Sequence, residues 1–161
     1  MASKVKANAP RAEQRVKTVL LVEDDASVAK ITTVWLRALG FEVIVCADGR
    51  QACDLAGRRH ESIDLLLADV MLPGLRGPVL AEILRGSHPE MAVLFSSGYS
   101  PELLGEMFAS HIESALLLYK PYDAGQLASR VHLALTRKAA SRREATSSDE
   151  PQVPDRPQVT A

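Results

Sequence analysis

Four short apolar runs in this 161-residue chain end in polar side chains capable of chemistry. Val19-Leu20-Leu21-Val22 ends in Glu23-Asp24-Asp25, and Leu65-Leu66-Leu67-Ala68 ends in Asp69. Val93-Leu94-Phe95 ends in Ser96-Ser97, and Leu116-Leu117-Leu118-Tyr119 ends in Lys120-Pro121. Carboxylates, a hydroxyl and an ammonium brought together suit a hard divalent cation and a phosphoryl group. Mg²⁺ takes oxygen ligands in octahedral geometry and keeps several waters. Glu23, Asp24 and Asp69 can supply carboxylates to it, and a cation relieves their mutual repulsion. Acids at a helix N-terminus can instead complement the helix dipole. That alternative accounts for Asp25 better than for three acids after an apolar run.

Asp69 reads either as a turn residue or, beside a cation, as a nucleophile that forms an acyl phosphate. Lys120 and the cation would then neutralise charge on the transferring phosphoryl oxygens. Ser97 is either a plain strand-end hydroxyl or a hydrogen-bond donor to one of those oxygens. Lys120 should pair with the carboxylates even without a ligand, and a cis Lys120–Pro121 bond would aim it inward.

Such residues meet only if the runs are parallel strands whose carboxyl ends share one sheet edge. The intervening sequence supports this. Ser27 can cap a helix with Val28, Ile31, Val34, Trp35 and Leu39 on its apolar face, closed by Gly40. A strand over Phe41–Ala47 and a helix from about Arg50 to Arg59 follow. The third strand is Ile63–Ala68, and Pro78 suits the first turn of a helix through about Arg85. A fourth strand, Ala92–Ser96, precedes a helix from Pro101 to about Ser110. The fifth strand is Ala115–Tyr119. Asp123 can cap a last helix through about Arg137, with Leu127, Val131 and Leu135 inward. Strands alternating with helices over short connections give a doubly wound (βα)₅ α/β domain.

Charge is segregated along the chain. Residues 1–17 carry five basic and one acidic side chain; residues 18–136 carry nine basic and fifteen acidic. The acidic middle argues against nucleic-acid binding by the folded part, which needs Lys and Arg for the phosphate backbone. Residues 1–17 read as a flexible basic arm. Residues 139–161, rich in Ser, Thr, Pro, Arg and Glu, read as a disordered polar tail, too short and polar for a DNA-binding module. No apolar stretch is long enough to span a membrane. The two cysteines, Cys46 and Cys53, fit no metal pattern, and with no export signal the expected compartment is the cytoplasm. His60, His88, His111 and His132 lack metal-ligand spacing and read as surface residues.

The chain resembles the receiver domain of two-component response regulators over roughly residues 18–138. The stretches that carry the resemblance are Val19 to Asp25, Asp69 to Gly77, Leu94-Phe95-Ser96-Ser97-Gly98-Tyr99 and Tyr119-Lys120-Pro121-Tyr122. The Ser-Gly-Tyr after the fourth strand is most similar to receivers associated with hybrid histidine kinases. The resemblance implies a flavodoxin-like (βα)₅ fold with strand order 2-1-3-4-5. It implies that Asp69 accepts a phosphoryl group from a histidine kinase or phosphotransfer protein. Glu23, Asp24, Asp69 and the Met71 backbone carbonyl would hold Mg²⁺, and Ser97 and Lys120 would contact the phosphoryl oxygens. Output would pass to a downstream protein partner, with no enzymatic activity beyond self-phosphorylation and autodephosphorylation.

Two features depart from the family pattern. Leu117 occupies the position of the usual aromatic switch, with Tyr119 two residues later. Met71 and Tyr99 occupy the positions that tune dephosphorylation. Two alternatives remain open: a receiver-like interaction module that is never phosphorylated, and a metal-dependent phosphatase with an aspartyl nucleophile. The second would want an acid two residues after Asp69, where Met71 stands.

Overall fold

The computed structural model describes residues 15–58, 62–108 and 116–147. The elements alternate along the chain. They are β1 (Thr18–Val22), α1 (Ala26–Ala38), β2 (Glu42–Cys46), α2 (Gly49–Arg58), β3 (Leu65–Asp69), α3 (Gly77–Ser87), β4 (Ala92–Ser97), α4 (Pro101–Phe108), β5 (Leu117–Tyr119) and α5 (Ala124–Ser147). The five strands form one parallel sheet in the order β2-β1-β3-β4-β5. This is the doubly wound arrangement read from the alternating elements, in the flavodoxin-like order that the family resemblance implies.

The apolar runs are continuous because both faces of the central strands are covered. Leu20, Leu66, Val93 and Leu117 point to a core shared with Leu80 and Leu84 of α3 and Leu104 of α4. Val19, Leu21, Leu65, Leu67 and Leu94 point to the opposite core, closed by Leu36 of α1 and Leu127 and Val131 of α5. Burying the inner leucines completely is worth roughly 1.5–3 kcal/mol each.

Helix α1 corrects the sequence reading twice. Its N-cap is Asp25, whose Oδ1 accepts the Ser27 and Val28 amides at 2.8 and 3.0 Å. Ser27 therefore lies inside the first turn, and the third acid of the Glu-Asp-Asp run serves the helix. The buried face is Ala29, Thr32, Thr33 and Leu36, whereas Ile31 and Val34 are 43% and 55% exposed. A 3.6-residue period allows either of two adjacent stripes to face inward. The threonine stripe can be buried because its hydroxyls are satisfied. Thr33 Oγ1 donates to the Ala29 carbonyl at 2.7 Å, and Thr32 bonds Tyr122.

Helix α5 runs ten residues past the expected end near Arg137, to Ser147. No Gly or Pro interrupts 126–147, and Ala, Arg and Lys favour helix there. Residues 139–147, read as disordered tail, are thus helical. Residues 15–17, read as part of the flexible arm, are tied to the sheet. The Arg15 guanidinium donates to both Asp64 oxygens at 3.0 and 2.6 Å, and the Lys17 carbonyl accepts the Glu42 amide at 3.0 Å. The rest of the arm (1–14), the tail from 148, His60 and His111 lie outside the described residues. So do the expected ends of the second helix at Arg59 and the fourth at Ser110, and the start of the fifth strand at Ala115.

Candidate functional site

The carboxyl ends of β1, β3, β4 and β5 deliver the sequence-marked residues to one edge of the sheet. Glu23 follows β1 and is almost fully buried, with its amide donating to the Cys46 carbonyl at 3.1 Å. Its Oε1 accepts the Asp25 amide at 3.3 Å. Asp69 ends β3, paired with Ser96 in the sheet register. The carbonyl of that same Ser96 accepts the Val70 amide at 2.9 Å. Asp69 Oδ1 accepts the Met71 amide at 2.8 Å, which fixes the carboxylate at the head of the loop.

Lys120 joins the two carboxylates. Its Nζ donates to Glu23 Oε2 at 2.7 Å and to Asp69 Oδ2 at 2.5 Å. The Lys120–Pro121 bond is cis, as the sequence reading anticipated. The Lys120 amide donates to the Ser97 carbonyl at 2.7 Å, so the ends of β4 and β5 are locked beside each other. Ser97 is fully buried, and its hydroxyl oxygen accepts the Tyr99 amide at 3.0 Å.

Burial and charge act against each other here. Burial is the largest influence on Glu23 and lifts its carboxyl above the ordinary value, although Lys120 pulls the other way. Burial also pulls on Lys120, downward. The two facing carboxylates outweigh it and hold the ammonium above its usual range. An ion pair alone would lower Glu23. A side chain only 2% exposed explains why desolvation wins there, whereas Lys120 keeps some water at 19% exposure.

The carboxylate oxygens of Glu23, Asp24 and Asp69 come within 4.8 Å of one another. Asp24 is exposed and points its charge to the same mouth. All the donors are hard oxygens, which fits a small divalent cation such as Mg²⁺ and suits softer metals poorly. Of the remaining marked residues, Met71 contributes its amide to Asp69 and packs its half-buried side chain on the core. Leu117 is buried in the core, and Tyr119 lies on the edge strand, 37% exposed.

The sequence reading gave no role to Gly77, Tyr122 or Thr32. Gly77 opens α3 directly against the Asp69 carbonyl. Tyr122, two residues beyond Lys120, places its hydroxyl 3.0 Å from Thr32 Oγ1. A glycine eight residues after an acid carries no signal on its own. Nor does a tyrosine and threonine pair separated by ninety positions.

Comparison with known proteins gives a consistent result. The model of the response regulator receiver domain family matches residues 19–132. The chain is 32% identical over 114 residues to the sensor kinase CckA of Brucella abortus (strain 2308), covering 71% of this chain and 12% of that protein. It is 34% identical over 119 residues to the transcriptional regulatory protein CpxR of Escherichia coli (strain K12), covering 74% of this chain and 49% of that protein. A crystal structure of the receiver domain from the hybrid histidine kinase CckA superposes with a TM-score of 0.61 at 36% identity. It covers 73% of this chain and 98% of that one. The chain thus spans about half the length, or less, of these curated relatives. Among the described residues, no helix is long and apolar enough to cross a membrane.

Proposed function

The chain belongs to the response regulator receiver domain family, and on that premise we propose that it is a phosphoacceptor switch whose acceptor is Asp69. The observation that carries this reading is the double engagement of Lys120 with Asp69 and Glu23 at the sheet edge. The phosphoryl group comes from a phosphohistidine on a histidine kinase or phosphotransfer protein. An Asp69 carboxylate oxygen forms a bond to phosphorus as the phosphorus–nitrogen bond breaks, and the imidazole nitrogen keeps the electron pair. The product is an acyl phosphate. Lys120, held cationic by its neighbours, turns from Asp69 to the phosphoryl oxygens. The Ser97 hydroxyl donates to another of them. These charge-assisted contacts act where negative charge accumulates.

Glu23, Asp24, Asp69 and the Met71 carbonyl are the groups that would hold Mg²⁺. When bound, it offsets the charge of the carboxylates and of the incoming phosphoryl group. Output passes to a protein partner that reads the phosphorylated surface. The phosphatase reading has no support at position 71, where a methionine cannot serve as acid or base.

The test is intact mass after incubation with Mg²⁺ and a small phosphodonor, with Asp69→Ala as control. A gain of one phosphoryl group that needs both Mg²⁺ and Asp69 is the expected result. No gain, either from the small donor or from a phosphohistidine donor protein, would favour an interaction module that is never phosphorylated. Turnover of a phosphate ester would favour the phosphatase.

A further inference from the structure

Tyr122 sits where it can connect the charged cluster to helix α1. Two residues upstream, Lys120 is bonded to Glu23 and Asp69. At its own position the Tyr122 hydroxyl bonds Thr32 Oγ1, a fully buried group in the middle of α1. Its ring also lies against Trp35, one turn further along the same helix, with centroids 6.3 Å apart and planes at 59°. Burial pushes the Tyr122 phenol up, and the charges of Lys120, Glu23 and Asp69 all reach it. The N-terminus of α1 is tied to the cluster as well, because its cap, Asp25, donates its own amide to Glu23. Helix α1 is therefore fastened to the cluster at its first turn and at its centre.

We infer that Tyr122 is a positioning residue for Lys120, and that its hydrogen bond to Thr32 transmits the state of the Glu23–Asp69–Lys120 cluster to helix α1. When Lys120 leaves Asp69 for a phosphoryl oxygen, the Lys120-Pro121-Tyr122 segment follows. The Tyr122 hydroxyl then drags or releases Thr32. The outer side of α1, where Ile31 and Val34 are exposed, becomes a surface whose placement depends on the cluster. The phosphorylation-dependent part of this inference rests on Asp69 being the acceptor.

Trp35 is the only tryptophan in the chain, so its emission, excited where tyrosine does not absorb, reads this joint directly. The experiment follows emission and intact mass together, before and after Mg²⁺ and a small phosphodonor. Wild type should change its emission as it gains mass. Tyr122→Phe keeps the ring and leaves the Thr32 hydroxyl free to bond a carbonyl of its own helix. It should still gain mass, more slowly, while the emission change is lost. Thr32→Val should behave alike, and Thr32→Ser should restore the change. A wild type that gains mass without an emission change would overturn the inference, as would an undiminished change in Tyr122→Phe and Thr32→Val.

A second arm needs no phosphate. Asp69→Asn alters the cluster directly. Its emission should differ from wild type, and Tyr122→Phe/Asp69→Asn should not differ from Tyr122→Phe. A shift that survives loss of the hydroxyl, or no shift at all, overturns the coupling even if wild type takes up no phosphate. Absence of mass gain alone therefore counts against the acceptor, and the second arm decides the joint.

Discussion

The main-chain carbonyl of Asp69 lies against Gly77 so closely that a Cβ at position 77 would overlap its oxygen. The Gly77 amide also donates to the Val70 carbonyl at 3.1 Å. The start of α3 thus sets the main chain from which the Asp69 carboxylate projects. Gly77→Ala should push that backbone aside and cost about 1–3 kcal/mol, the usual range for overpacking. It should also slow phosphoryl uptake. Gly86, in the same helix, has open space around its Cβ position. Gly86→Ala should raise stability by about 0.5–1 kcal/mol through the unfolded state and leave uptake unchanged. Urea unfolding and intact-mass kinetics on both variants check the contrast, and equal behaviour would refute it.

Lys120 is the counter-charge bonded to both Glu23 and Asp69. Lys120→Met keeps the apolar stem and removes the charge. With both carboxylates left facing each other, the metal-free protein should lose about 1–3 kcal/mol, less than the 3–5 of a fully buried pair because Lys120 retains water. Mg²⁺ should return part of that loss by binding the folded state alone. Urea midpoints with and without Mg²⁺ test this. A variant as stable as wild type in chelator would show that the bridge contributes nothing net.

Glu23 gives a pH dependence of known sign. Its folded-state value is raised above 4.5 by burial. Between those two values the folded chain keeps a proton that the unfolded chain has released. The group's contribution is therefore most favourable below 4.5, and stability falls as the pH rises through the raised value. In chelator, the stability difference between wild type and Glu23→Gln should shift against wild type over that window. A difference that is flat, or that moves the other way, would show that Lys120 outweighs burial at this carboxylate.

Met71 is half-buried on the core, and Tyr99 is 44% exposed beside Ser97. Neither side chain offers a carboxylate or amide to orient a water for attack on an acyl phosphate. The phosphorylated protein should hold its phosphoryl group for minutes or longer. Loss of the mass gain within seconds would rule this out. Met71→Asp should shorten the lifetime by supplying a water-binding carboxylate.

Much of the fold was legible because each relevant property is local. Buried parallel strands must be apolar on both faces, so Leu65 to Ala68 and Val93 to Phe95 announce themselves without a partner. A polar residue that ends such a run can stand only at the sheet edge, so Glu23, Asp69, Ser97 and Lys120 were visible by position and type. What the tertiary structure decided depends on distance between segments. Periodicity could not say whether Ile31 and Val34 or Thr32 and Thr33 of α1 face inward. The threonines can face inward because their hydroxyls find partners, and that of Thr32 is Tyr122, ninety positions away in the chain. Composition could not show that Arg15 would reach Asp64. Spacing could not show that Gly77 must lack a side chain, because the need arises from the Asp69 carbonyl crossing over it. The sequence by itself determined which groups reach one edge. Folding alone decided which of them touch, since contact energies between remote residues leave no periodic trace in the chain.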